Sequence, residues 1–171
     1  MHIPGEVLAS HGAVAGVLVL SLQALRPWPL LYALWLWPGT LAHELCHFIA
    51  GLLLGAQPVS LNVLPRRLGQ QRWQFGEVRF TRLRWWNKVP VGLAPLLLLP
   101  LAAWLFWFSL TWPVLSWGCL GASLLAVQFT IAAWPSGQDL AHVLAGLLVL
   151  ALIALLILAL GVGLRALTGM P

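Results

Sequence analysis

Apolar residues run along this chain in five long stretches, interrupted by one extended polar one. The apolar stretches cover about 8–25, 30–55, 90–110, 114–134 and 139–167. Each approaches or exceeds the ~20 residues that carry a helix through ~30 Å of hydrocarbon, so the pattern predicts about five transmembrane helices. Residues 57–88 differ. VSLNVL (59–64) and RWQFGEVRF (72–80) have strand-like content on either side of a turn at Leu68-Gly69-Gln70. The alternation shifts at Gly76, which predicts a bulge there. TRLRWWNK (81–88) reads as interfacial. The expected fold is all-α integral membrane: a single membrane-embedded domain over 1–171, with a short β-hairpin-like, membrane-associated loop between the second and third helices.

Composition narrows the class. Of 171 residues, 61% are hydrophobic and 8% charged, and the mean hydropathy is +0.92. Those values exclude an ordinary soluble domain. The net charge of +5 raises nucleic-acid binding as an option, but seven of the nine Lys/Arg fall between Arg66 and Lys88, beside apolar stretches. Cations in that setting fix orientation and meet anionic lipid, so membrane lipid is an expected partner and nucleic acid is not. The two cysteines, Cys46 and Cys119, make no disulfide framework. No Lys or Arg precedes the first apolar stretch, so it lacks the n-region of a signal peptide and is expected to remain in the mature protein. Arg26 and Arg165 fall on the side opposite the basic loop if the helices alternate. The N-terminus and the 57–88 loop are then cytosolic, and the 135–138 turn joins them there.

Against this background LAHELCHFIA (41–50) is an anomaly. Ionisable groups in hydrocarbon cost about 2.5–3.5 kcal/mol even on lenient scales, so these need a use. His43 and His47 share a helix face at i, i+4 and can bind one metal ion, with Glu44 one step round. This H-E-x-x-H spacing is that of Zn²⁺ sites in which the Glu is the general base. The bland alternative is a polar cluster holding helices together. Cys46 reads as a small packing residue or, less simply, a soft extra ligand. Two histidines leave zinc one protein ligand short, and Glu6, Glu77 and Asp139 are the candidates. Asp139, in WPSGQDLAHVL, also reads as a plain helix N-cap carboxylate. His142 shares its face, as support for a ligand, a substrate contact or a packed interior histidine. Pro38-Gly39 predicts a kink one turn before the histidines.

An HExxH on an apolar helix, followed by an aspartate opening a later helix, resembles the site-2 protease family of intramembrane zinc metalloproteases. HELCH is the specific part of the match. The resemblance implies a metalloendopeptidase that cleaves membrane-spanning protein substrates. His43, His47 and Asp139 would be the zinc ligands and Glu44 the residue that activates water. An unwound substrate backbone needs partners that hydrocarbon does not offer, so the 57–80 hairpin is expected to dip toward the site and pair with it, and the resemblance points the same way; the bland alternative is a solvated basic loop that merely sets topology. The usual aspartate motif is Asp-Gly, whereas here Gly137 precedes Asp139 and Leu140 follows it. No PDZ or CBS domain accompanies the core, and a regulatory membrane partner is a further expectation. The location expected is a bacterial inner membrane. The alternative from another class is a catalytically silent membrane scaffold or metal-binding protein that retains the fold. Simple alternation raises one difficulty: it puts Asp139 near the membrane face and His47 about 13 Å deep. Either Asp139 dips inward or the second helix ends early.

Overall fold

A computed structural model describes residues 4–67, 73–74 and 76–168. Its elements in order are α1 (Gly5–Leu25), α2 (Pro29–Leu53), β1 (Pro58–Asn62), β2 (Arg66–Arg67), β3 (Trp73–Gln74), β4 (Glu77–Phe80) and α3 (Trp85–Leu93). A 3₁₀ turn (Ala94–Leu97) leads to α4 (Leu98–Ser109), then α5 (Trp117–Ala132) and α6 (Gly137–Thr168). The protein is mostly helical, as the apolar pattern predicts, and among the described residues three helical stretches are long and apolar enough to cross a membrane. These are Gly5–Leu25, Trp85–Ser109 and Gly137–Leu160. The expectation of five is met in three. The α5 helix is apolar but only 16 residues long, and α2 has 25 residues yet carries the Pro, Glu and His that dilute its hydropathy.

The third stretch begins at Trp85 rather than at residue 90, so Trp85 and Trp86 open a helix instead of lying in an interfacial loop. It is broken by the 3₁₀ turn at Ala94-Pro95, where proline withholds an N–H. Small residues fill the buried interior: Ala33, Ala94, Ala102, Ala122, Ala126, Cys119, Ser109 and Ser123. Large apolar residues such as Leu34, Trp104, Leu144, Leu148 and Leu155 face outward. Small side chains let helix backbones approach closely, and an apolar exterior is compatible with insertion into a membrane.

The polar segment folds into strands. β1 pairs antiparallel with β4, matching Ser60 to Arg79, Leu61 to Val78 and Asn62 to Glu77. A register shift between Pro58 and Ser60 leaves Val59 as the extra residue. Among the described residues the bulge is therefore on β1 and not at Gly76, which instead lies between β3 and β4. The turn expected at 68–70 lies outside the described residues. Asn87, wholly buried, ties the hairpin down. Its Nδ2 donates to the Leu54 and Arg82 carbonyls, and its Oδ1 accepts from the Arg84 amide at the start of α3.

Helix directions explain how distant residues meet. Gly39 and His43 of α2 contact Gln128 and Ala132 of α5, so these helices run in the same sense. His47 of α2 and Leu54, the residue capping its end, meet Val91 and Asn87, so α3 runs against α2. Gly92 lies against Val143 and the Asp139 carbonyl, and Gly146 against Lys88, Val89 and the Trp85 carbonyl, so α6 runs against α3 where they touch. There α6 continues in the sense of α5 and does not turn back as alternation predicts. Of the two ways out of the depth difficulty, the first is found: Asp139 lies inward, level with the histidines. It is α5 that stops early, at Ala132 beside His43, while α2 continues to Leu53, about 15 Å further. Trp134-Pro135 breaks the chain, and α6 restarts at that depth with Asp139 in its first turn.

Candidate metal centre

Three side chains converge where α2, α3, α5 and α6 meet. The i, i+4 spacing puts His43 and His47 on one face of α2, with ring centroids 4.7 Å apart and the rings nearly perpendicular. Each ring is held by its Nδ1–H. His43 donates to the Ala132 carbonyl at 2.6 Å and His47 to the Val91 carbonyl at 2.8 Å. Those bonds leave both Nε2 atoms unprotonated in the neutral rings, with lone pairs directed inward. The two Nε2 atoms are 3.1 Å apart.

Asp139 closes the group. Its Oδ1 stands 3.1 Å from His47 Nε2 and its Oδ2 3.4 Å from His43 Nε2. The carboxylate is held in place by a reciprocal cap. Ser136 N–H donates to Asp139 Oδ2 at 2.7 Å, and Asp139 N–H donates to Ser136 Oγ at 3.2 Å. The two readings of Asp139 are thus compatible, since one carboxylate caps α6 and faces the imidazoles. With both Nδ1 positions used as donors, three electron-rich groups point at one another. A cation held among them would offset that repulsion. Ligand atoms around a tetrahedral zinc with ~2.0 Å bonds lie ~3.3 Å apart, close to the separations found here. His43, His47 and Asp139 form a group that could hold a metal ion.

Glu44 is buried and faces the same cavity, about 440 Å³ in volume. Gly76 lies so close to the Glu44 carboxylate that a Cβ there would collide with it. The hairpin therefore reaches the same place: Gly76, Glu77, Val78 and Phe80 line the cavity with Thr40, His43, His47 and Asp139. His142 also lines it, one turn after Asp139. Of the other candidate third ligands, Glu77 lines the cavity but is paired with Arg79 at 3.0 Å, and Glu6 lies in the first turn of α1, away from the cavity. Cys46 is half-buried and does not line the cavity.

Sequence reasoning missed Ser136, although Ser-x-x-Asp before an apolar run is the mark of a capping box. It also missed Lys88, which lines the cavity. The Ala132 and Val91 carbonyls carry no signal in the sequence, because any residue supplies one. No family model matches the chain, and neither curated proteins nor solved structures include a detectable relative.

Proposed function

We propose that this chain is an integral-membrane zinc endopeptidase of the site-2 protease kind, acting on membrane-spanning protein substrates. The observation that carries the reading is the convergence of two oriented imidazoles and a capped carboxylate beside a buried glutamate, in a cavity walled by a strand. An N,N,O donor set of this kind suits Zn²⁺. A bound zinc ion supplies a Lewis acid and makes water nucleophilic near neutral pH.

The rest of the chemistry belongs to the chain. Nδ1–H bonds to Ala132 and Val91 fix ring orientation. The Ser136 cap fixes the Asp139 carboxylate. Glu44 accepts a proton from the attacking water and passes it to the departing amine nitrogen. A substrate helix hides its amides in its own hydrogen bonds and must unwind before attack, leaving backbone groups that hydrocarbon cannot satisfy. β4 offers main-chain partners at the cavity wall. The glutamate favours an enzyme over a silent metal-binding scaffold, because metal storage has no need of a base at that place. The basic residues from Arg66 to Lys88 support a cytosolic hairpin.

The test combines metal analysis with turnover. Purified protein in lipid vesicles is assayed for zinc and for cleavage of a mixture of single-span reporter proteins, beside His43→Ala. Zinc near one per chain and cleavage that the variant loses are expected. Zinc-loaded protein that cuts no reporter in any lipid would return the chain to the scaffold reading.

A further inference from the structure

Gln128 lies on α5 one turn before Ala132 and is 3% exposed. It plays no part in the chemistry above. Its carboxamide spans one rung of α2: Oε1 accepts from the Gly39 N–H at 2.9 Å, and Nε2 donates to the Trp35 carbonyl at 2.6 Å. In a regular α-helix those two backbone groups are each other's partners. They stand beside Pro38, which has no N–H to offer Leu34 and whose ring crowds the preceding turn. A side chain entering the i→i−4 ladder is a recognised cause of a local helix opening.

We propose that Gln128 is a positioning residue, whose carboxamide splices α2 at Pro38-Gly39 and thereby sets the depth and rotation of His43 in the metal centre. Two cross-helix bonds sit one turn apart on both helices. Gly39 is bound to Gln128, and His43 is bound to Ala132. The helical turn between them is stiff, so the first bond sets the register of the second. The approach is close: a Cβ on Gly39 would stand 3.0 Å from the Gln128 carbonyl oxygen and 3.3 Å from the Ala132 Cβ. The head group is matched to the gap, which presents one donor and one acceptor. A carboxylate offers no donor, a thioether offers neither strongly, and asparagine is one methylene short. Away from water, groups left over at the splice have no other partner.

The experiment has two arms, and only the second rests on the metal reading. In metal-free protein in micelles, exchange of the Gly39 amide is followed by NMR in the parent, in Gln128→Met, in the isosteric Gln128→Glu, and in Gln128→Met combined with Pro38→Ala. The last change restores an N–H at position 38 and lets α2 close its own ladder. Exchange at Gly39 is expected to rise about tenfold or more in Gln128→Met and to fall back in the double variant. In the second arm, Zn²⁺ affinity by competition and the visible spectrum of bound Co²⁺ report the centre. Gln128→Met and Gln128→Glu are expected to weaken Zn²⁺ by about 10–100-fold and shift the Co²⁺ bands, and the double variant, whose α2 ladder closes without a bond to α5, is expected to stay weak. Unchanged Gly39 exchange overturns the splice. Faster exchange with parental affinity and spectrum, or parental affinity regained in the double variant, overturns the positioning role. A parent that holds neither ion overturns the metal reading and the positioning role together, while the exchange arm still decides the splice.

Discussion

His43 donates its Nδ1–H to the carbonyl of Ala132 at 2.6 Å, so the last residue of α5 decides which nitrogen of that ring faces the centre. The Val91 carbonyl does the same for His47. Both acceptors lie where helical order gives way, at the end of α5 and just before the 3₁₀ turn that follows α3. Neither carbonyl has its i+4 amide: Pro95 has no N–H to give Val91, and the Ser136 N–H goes to Asp139. The Val91 carbonyl still accepts from the Ala94 N–H, and each oxygen keeps a lone pair for an imidazole N–H. The helix breaks at Pro135 and Pro95 and the fixed tautomers of the two histidines are one design.

Asp139→Asn should lower zinc affinity by more than the ~10–100-fold that follows loss of a supporting hydrogen bond, because it removes a ligand group rather than its support. An amide keeps an oxygen and loses the charge that balances the cation. Equilibrium competition against a chromophoric chelator measures this. Parental affinity in the Asn variant would remove Asp139 from the ligand set and leave it a helix cap.

Glu44→Gln should keep zinc and the fold while cleavage falls by about 10²–10⁴, the usual cost of losing a general base. The substitution is isosteric, so the close packing against Gly76 survives. Rate and zinc content are measured on the same preparation. Cleavage at the parent rate would show that another group takes the proton.

Gly76→Ala isolates the contact between the hairpin and Glu44. The added methyl would meet the carboxylate, and either the side chain or the strand must shift. Displacements of about 1 Å at a reacting group can cost ~10²-fold in rate. Cleavage should fall by about that factor with zinc affinity unchanged, since neither histidine nor Asp139 is touched. A loss of zinc in parallel with activity would mean that the hairpin supports the ligands and not Glu44.

The chain discloses some of this and withholds the rest for physical reasons. His43, His47 and Asp139 were legible because ionisable groups are rare here and expensive in apolar surroundings, so each one demands a partner. The strand character of 57–80 showed in its β-branched and aromatic content. The bulge at Val59 did not, because a register shift depends on which residues of the other strand come opposite. Alternating passage misread α6, since hydropathy reports length and apolarity and carries no sign for direction. The break at Pro135 was visible, but its depth was not: that depends on α5 stopping level with His43 while α2 runs on. Gln128 looked like one more polar residue in an apolar run, and only the facing Pro38-Gly39 gives its carboxamide a purpose.

The hairpin gives the last prediction. β4 is paired to β1 on one side, and its residues Glu77, Val78 and Phe80 line the cavity beside the ligand group. If substrate is held extended by pairing along this strand, β4 must stay a strand and keep its amide donors. Arg79→Pro removes one donor and fixes φ in the middle of the four-residue strand. It also removes the ion pair that Arg79 makes with Glu77 at 3.0 Å, so Arg79→Ala is the control for that loss alone. The ion pair is exposed on the Arg79 side, and pairs of that kind contribute little, on the order of 0–1 kcal/mol. Arg79→Ala should therefore cleave a reporter at close to the parent rate, while Arg79→Pro should lose most of its cleavage with zinc still bound. Asn62→Pro, opposite Glu77 on β1, should give a milder loss, because it weakens the support of β4 and not β4 itself. Proline variants that insert, bind zinc and cleave at the parent rate would leave the hairpin as a basic loop that only sets topology, and substrate would have to find its backbone partners elsewhere.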